Sequence, residues 1–328
     1  MIKPSSTTGA IYPMLSKVTL VRDEDINFEE YLKTPPEAAK VKPASSFQQT
    51  IIDSFYGDNP DPGCYLPWLK THDHIKLRQG ELSIWAGVNG HGKSMLLNQA
   101  CLSLMAQSER VCIASLEMKP LATLRRMSRQ FDGVEVPAIA NIERFSSWTI
   151  DKLWLYDQIG TVKSERMYAV AQYCIKELGI THFVIDSLMK CGMRSDDYSA
   201  QKEFVDRLST LAKDTNTHIH LVSHSRKGDK EDKVMDEFDI KGAGEITDMA
   251  DNVFIVWKNK KKEAALNARN ISPELKTKPD ALLIVDKQRN GEWEGKISLW
   301  YHRSSFQLLP KPSCNKHCNE EWEKCSWY

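Results

Sequence analysis

The sequence predicts an α/β fold in which a mainly parallel central sheet carries helices on both faces. Three observations point there. From Glu81 onward, short apolar runs alternate with helix-length amphipathic segments. One of those runs, Leu82-Ser83-Ile84-Trp85-Ala86, opens directly into Gly87-Val88-Asn89-Gly90-His91-Gly92-Lys93-Ser94, a turn with the G-x-x-x-x-G-K-[S/T] spacing. Another, Phe183-Val184-Ile185, ends in Asp186, which matches an acid at the carboxyl end of a central strand.

The elements follow in order. Residues 1–44 have little periodicity and are broken by Pro4, Pro13, Pro35, Pro36 and Pro43, so they read as an extended arm or linker. Phe47, Ile51, Ile52 and Phe55 form a helical stripe from about Ser46 to Phe55, which packs on its own domain or docks on a neighbour. Leu82–Ala86 is the first strand of the core, and a helix runs from Lys93 to about Gln107. Val111–Leu116 is a strand and Leu121–Gln130 a helix. Leu153–Tyr156 is a short strand, and Ser164–Leu178 is a helix with Met167, Val170, Ala171 and Cys174 on one side. Thr181–Ile185 is a strand, Ser199–Asp214 a helix and Thr217–Val222 a strand. Asn252–Trp257 and Ala281–Asp286 are further strands, separated by a polar insertion at 258–280, and Ile297–Tyr301 reads as an edge strand. The expected organisation is an arm with a short helix (1–75), an α/β domain (76–310) and a tail (311–328).

Composition sets outer limits. The 328 residues suffice for one large α/β domain with appendages, and 41% hydrophobic content supports a packed core. Basic and acidic residues balance at 44 each, so coating of duplex DNA by net charge alone is not expected, although a local channel is compatible. Cys101, Cys112 and Cys174 sit in apolar runs and read as small buried hydrophobes, not as a secreted disulfide framework. The amino terminus has no apolar signal core, and no run is long enough to cross a bilayer. The expectation is a soluble protein of a reducing, cytoplasmic compartment, with no membrane partner.

The glycine-rich turn is a phosphate site by its chemistry. Gly87, Gly90 and Gly92 let the backbone around Asn89 and His91 curl until successive N–H groups face a polyphosphate, and the following helix presents its positive end to the same anion. Lys93 adds a mobile charge at the β/γ-phosphates, and the Ser94 hydroxyl suits Mg²⁺. Asp186 would hold the same ion through water, or else cap a helix. Glu117, after the strand ending Ser115-Leu116, either polarises the attacking water or is a surface turn acid. His224 follows another strand, where it either touches the γ-phosphate or is hydrogen-bonded structurally. His218 and His220 share a strand face and read as structural, since no cysteine or acid spacing completes a metal site.

With these residues in place, the chain resembles the replicative hexameric helicases of the DnaB type, including the helicase halves of phage primase–helicases. The similarity runs from about Pro67 to Phe306. It rests on Gly80-Glu81-Leu82 leading into the 87–94 loop, on Ser115-Leu116-Glu117-Met118 with Arg125 and Arg126 following, and on Asp186. Ser223-His224-Ser225-Arg226-Lys227 and Asp239-Ile240-Lys241-Gly242-Ala243-Gly244 follow, then Ala250-Asp251-Asn252 and Lys287-Gln288-Arg289-Asn290-Gly291. The resemblance implies a RecA-like core that hydrolyses ATP or another NTP with Mg²⁺. In it Glu117 would be the catalytic acid, His224 a phosphate sensor, and Arg289, assisted by Lys287, would reach the γ-phosphate bound by the neighbouring subunit.

It further implies a homohexamer that moves 5′ to 3′ on single-stranded DNA and opens forked DNA by strand exclusion. DNA loops would carry Lys190 and Arg194, and Lys227, Lys230, Lys233, Lys241 and Gly242. The stretch Arg226–Lys241 holds five basic and six acidic residues, so its composition does not announce a polyanion site. A separate primase and a DNA polymerase are the implied partners, in host cytoplasm if the chain is phage-encoded. The arm could serve as a subunit-swapped linker. In the tail, Cys314, Cys318 and Cys325 are poorly spaced for zinc, and Trp322, Trp327 and Tyr328 read as a partner-docking element. Two other functions share these motifs: a single-strand-binding recombinase or loader that does not unwind, and a nucleotide-gated replication scaffold. The placement of Lys287-Gln288-Arg289-Asn290-Gly291 argues against the first, and the presence of both Glu117 and Arg289 argues against the second.

Overall fold

The computed structural model describes residues 19–31, 44–57, 62–194, 196–224, 243–312 and 314–325. Its strands are β1 (Thr19–Val21), β2 (Leu82–Ala86), β3 (Val111–Ser115), β4 (Leu153–Tyr156), β5 (His182–Asp186), β6 (His218–Val222), β7 (Asn252–Lys258), β8 (Ala281–Gln288), β9 (Gly295–His302) and β10 (Gln307–Leu309). Its helices are α1 (Phe28–Tyr31), α2 (Gln48–Tyr56), α3 (Lys93–Ala106), α4 (Pro120–Asp132), α5 (Ile139–Trp148), α6 (Ser164–Leu178), α7 (Tyr198–Thr215), α8 (Ala243–Met249), α9 (Lys260–Asn267), α10 (Pro273–Thr277) and α11 (Asn319–Lys324).

Among the described residues the strands form one sheet in the order β1-β4-β3-β5-β6-β2-β7-β8-β9-β10. Pairing is parallel from β1 through β7 and antiparallel from β7 to β10. The central strands β2, β3, β5 and β6 are buried at every residue, because helices cover both faces. Successive side chains therefore feed two cores. Ile84, Cys112, Ala114, Phe183, Ile185, Leu221 and Ile255 join the core under α6 and α7. Trp85, Ile113, Val184, Val222, Phe254 and Val256 join the core under α3 and α4.

The expected core elements recur within a residue or two, and four readings change. The arm is not wholly a linker: β1 pairs with β4, and Tyr31, in the same segment, is buried and donates its hydroxyl to Glu177 at 2.6 Å. Gly295–His302 is not an edge strand, because β10 pairs outside it. The insertion at 258–280 contains α9 and α10, capped by the Asn259 and Ser272 side chains. In the tail, α11 packs on α3, α4 and α5, and Trp322 is fully buried with its indole N–H donating to Gln130 O at 3.3 Å. Trp322 is thus a core residue of its own domain, while Trp327 and Tyr328 lie outside the described residues. The stripe on α2 is solvent-facing in this protomer, with Ile51, Ile52 and Phe55 exposed. Among the described residues no helix is long and apolar enough to cross a membrane.

Candidate active site

The parallel pairing brings the carboxyl ends of β3, β5, β6 and β2 to one edge of the sheet. Ser115 pairs in register with Asp186, so Glu117 emerges one strand from Asp186. β6 delivers His224 between β5 and β2, and β2 delivers the glycine-rich loop. A chain that reverses direction at such a strand edge leaves a crevice there for a ligand.

The loop conformation depends on its glycines. Gly87 has φ +148°, and a Cβ there would lie 2.4 Å from Val256 O on the adjoining strand β7, so any side chain would force the strand away. Gly92 stands at φ +88° as the N-cap of α3 and aims the helix amino end at the crevice. His91 is buried, and its Nδ1 accepts the Lys258 backbone N–H at 3.3 Å. The His91 side chain thus anchors the loop to the end of β7 and does not line the cleft.

Lys93 is buried at the start of α3, and its ammonium donates to Gly87 O at 2.7 Å and Val88 O at 3.2 Å. It also lies 3.2 Å from His224 Nδ1. An ammonium only donates, so Nδ1 accepts and the ring proton sits on Nε2. Nε2 is 3.2 Å from Ser187 Oγ, whose hydroxyl donates to Glu117 Oε1 at 3.1 Å. A continuous relay thus runs Lys93–His224–Ser187–Glu117. Burial lowers the Lys93 pKa to about 8, with Asp186 and Glu117 opposing the shift.

Asp186 is buried at the end of β5, and its carboxyl accepts a hydrogen bond from Ser94. Burial raises its pKa and Glu117 adds to the rise, while the Ser94 bond, Lys93 and Arg126 lower it. A hydroxyl and a buried carboxylate beside a second carboxylate form a hard oxygen donor set of the kind Mg²⁺ takes. Ser94 and Asp186 could hold that ion.

These residues line a cleft of about 340 Å³ formed by Asn89, Gly90, Gly92, Lys93, Ser94, Met95, Glu117, Arg126, Asp186, His224, Lys258, Tyr301 and Phe306. Sequence reasoning missed the roles of Lys258, Tyr301 and Phe306. They reach the cleft from β7 and from the β9–β10 region, and nothing local to those segments signals a nucleotide site. Arg126, which also lines the cleft, is signalled in the sequence only by its nearness to Glu117.

The structure does not bring Lys287 and Arg289 into this cleft. Lys287 Nζ donates to Thr247 O at 2.9 Å and Asp248 O at 3.3 Å. Arg289 Nη2 donates to Asp248 O at 3.0 Å, its Nε is 3.5 Å from Asp251 Oδ1, and the side chain remains 46% exposed. Of the DNA-contact candidates, Lys190 ends the short 3₁₀ turn Leu188–Lys190 directly after Ser187. Arg194 is exposed and pairs with both carboxylate oxygens of Asp196 at 3.1 Å. Lys227, Lys230, Lys233, Lys241 and Gly242 lie outside the described residues.

Residues 73–308 match the family model of the DnaB-like helicase C-terminal domain. Among solved structures, an ATPase domain superposes with a TM-score of 0.65 at 14% identity, over 81% of this chain and 97% of that one. A DnaB-like replicative helicase, solved for its interactions with primase, superposes with a TM-score of 0.65 at 13% identity, over 82% of this chain and 67% of that one. At such identities the superpositions speak for the RecA-like fold, and the family model speaks for descent. The chain therefore belongs to the DnaB-like helicase C-terminal domain family, as an NTP-hydrolysing helicase.

Proposed function

We propose that this chain is a ring-forming replicative DNA helicase that moves 5′ to 3′ on single-stranded DNA and separates a duplex by strand exclusion. The observation that carries the reading is a divided site. Lys93, Ser94, Glu117, Asp186 and His224 converge at one end of the sheet, while Lys287 and Arg289 are presented at the other. A site split in this way is completed when a neighbouring protomer lays its Arg289 against the cleft, which is the logic of a ring such as a homohexamer.

In this reading the backbone from Gly87 to Gly92 and the amino end of α3 bind the phosphates of ATP or another NTP. Lys93 moves from the loop carbonyls to the β/γ-phosphates. Ser94 and Asp186 hold Mg²⁺, which neutralises charge on the phosphates when bound. Glu117 orients the attacking water and takes its proton, with Ser187 fixing the carboxylate. His224, bonded to both Lys93 and Ser187, changes partners when Lys93 moves and reports occupancy to the segment that follows it. Arg289 of one protomer, assisted by Lys287, stabilises the charge developing in its neighbour's site. Lys190 and Arg194, with Lys227, Lys230, Lys233, Lys241 and Gly242, contact the DNA backbone.

The exposed apolar stripe of α2 suits a subunit-swapped contact. A primase is a proposed partner because a relative was solved for its interactions with one; a DNA polymerase is proposed from the resemblance alone. The proposed compartment is the cytoplasm, that of the host for a phage-encoded chain. The deciding experiment is unwinding of a forked duplex tailed on either strand. Opening only with a free 5′ tail supports the proposal. Nucleotide hydrolysis stimulated by single strands with no unwinding of either substrate would favour the recombinase or loader reading.

A further inference from the structure

A second cluster of chemically active side chains lies at the opposite end of the sheet from the phosphate cleft. Cys64 is buried in a segment tied to Leu77 by two backbone hydrogen bonds of 2.9 Å. Glu109 stands in the turn between α3 and β3, and His182 is the first residue of β5. One ligand atom from each of the three lies within 4.8 Å of the other two. The Cys64 Sγ to Glu109 Oε1 distance is 3.3 Å, and His182 Nε2 to Glu109 Oε2 is 3.7 Å. Tetrahedral bonds of roughly 2.0–2.3 Å to sulfur, nitrogen and oxygen place neighbouring donors roughly 3.3–3.6 Å apart.

Two buried polar atoms in this region are unspent. His182 Nε2 has no hydrogen-bond partner in a fully buried ring. Gln79 Nε2 donates to the same Glu109 carboxylate at 3.3 Å, and its Oε1 is also buried without a partner. Burial and the adjacent carboxylate push the Cys64 thiol pKa up, and burial holds His182 neutral. The Glu109 side chain is 20% exposed, which gives an ion a route from solvent.

We propose that Cys64, Glu109 and His182 bind a divalent transition-metal ion of the zinc class, with the Gln79 amide oxygen or a water as fourth ligand. A soft thiolate, an imidazole and one carboxylate select Zn²⁺ over Mg²⁺ or Ca²⁺. Such an ion staples the segment carrying Cys64 to the turn after the P-loop helix and to the strand that ends in Asp186.

Proton bookkeeping is constrained by the neighbouring rings. The Trp85 indole N–H donates to His220 Nδ1 at 3.1 Å, so the His220 proton is on Nε2 and faces His182 Nδ1 at 3.1 Å. The His182 proton is then on Nε2, facing Glu109. Binding releases the Cys64 proton to solvent and moves the two ring protons one place along the relay. His182 Nδ1–H then donates to His220 Nε2, and the Trp85 N–H loses its acceptor. The Trp85 N–H and the His220 Nδ1–H, both buried, then face each other across 3.1 Å, a cost that the three bonds to the metal have to exceed.

The test is Co²⁺ added to the reduced 328-residue chain, read by its thiolate charge-transfer absorption. The expected result is a band that saturates at one Co²⁺ per chain, is displaced by Zn²⁺, and is lost in Cys64→Ser and His182→Gln. Glu109→Gln, at a partly exposed position, serves should those variants fail to fold, and it should weaken Co²⁺ binding at least tenfold. A variant with Cys314, Cys318 and Cys325 all replaced by Ser should keep the band. No band in the wild type, or a band that survives Glu109→Gln at full affinity or disappears with the tail cysteines, overturns the proposal.

Discussion

Lys93 and Arg289 lie at opposite ends of strand β2 within one protomer. Arg289 N donates to Asp251 O at 2.7 Å, and Asp251 N donates to Leu82 O at 2.9 Å, at the first residue of β2. Lys93 lies beyond the last residue of that strand, so five residues of extended chain, on the order of 15 Å, separate the two levels. Arg289→Ala should therefore leave nucleotide binding nearly intact while lowering kcat about 10³-fold or more. Lys93→Ala should abolish hydrolysis. Mixtures of the two variants should regain part of the activity, because some interfaces then pair an intact cleft with an intact Arg289. A titration of one variant into the other, with mixed assembly verified, checks this; no recovery at any ratio defeats the shared-site reading.

Glu117 is held by the Ser187 hydroxyl, and His224 Nε2 approaches the same carboxylate at 3.5 Å. Glu117→Gln keeps the shape and removes the carboxylate proposed as the base. The expected outcome is a kcat lower by about 10²–10⁴-fold with nucleotide Kd changed only a few-fold. Single-turnover hydrolysis alongside equilibrium binding of a fluorescent nucleotide separates the two effects.

Burial lowers the Lys93 pKa to about 8. A bound polyphosphate favours the ammonium and raises that pKa again. Above pH 8, binding must therefore take up a proton, and affinity should fall as pH rises, by at most about tenfold per pH unit. Below that pH the ammonium is already formed and the dependence from Lys93 should vanish. Titration calorimetry in buffers of different ionisation enthalpy should show proton uptake near pH 9 and little near pH 7.

His218 is fully buried, with Nδ1 against Arg78 O and Nε2 against Ser83 Oγ, and burial lowers its pKa to about 4. The unfolded chain binds this proton near the ordinary histidine pKa of about 6.5, the folded chain only near 4. The unfolded state thus carries more protons in that window, so stability is full above it and is lost as pH falls through it. His218 alone accounts for about 3 kcal/mol by the lower end, and His182 and His220, also held neutral by burial, add in the same direction. Urea midpoints measured between pH 7 and pH 4.5 should fall steadily, and His218→Gln should flatten the slope.

Trp322 closes the core formed with Phe131, Phe145 and Leu97. The helix that carries it is further pinned by Arg144, which donates to both oxygens of Glu323 at 2.7 and 2.5 Å. Trp322→Ala should cost about 3–5 kcal/mol through the cavity it leaves. Arg144→Ala should cost far less, because that pair is partly solvated. Denaturant unfolding of both variants measures the difference. A wild-type midpoint for Trp322→Ala would return the tail to a role outside its own domain.

Legibility in the sequence followed distance along the chain. Gly87 to Ser94 could be read directly, because a phosphate loop is contiguous and its glycine and lysine spacing is a local demand of backbone geometry. Asp186, Glu117 and His224 could be placed at strand ends because buried parallel strands are apolar runs with sharp polar ends. Their partners could not be read. Ser187 as the tether of Glu117, and Tyr301 and Phe306 as cleft walls, depend on strand order, which pattern alone does not fix. The short strands β1 and β10 and the helix α11 carry too few residues for a periodic signal.

By itself, then, the sequence determined an α/β nucleotide-binding core, the position of its phosphate loop and the residues ending its central strands. It could do so because those features are imposed by local backbone geometry and by alternating burial. Only the tertiary structure decided that Trp322 belongs to the core, that Arg289 faces away from its own cleft, and that Cys64, Glu109 and His182 meet. Each of those outcomes depends on segments distant in sequence being brought side by side by the sheet, and that information resides in the packing of the whole chain.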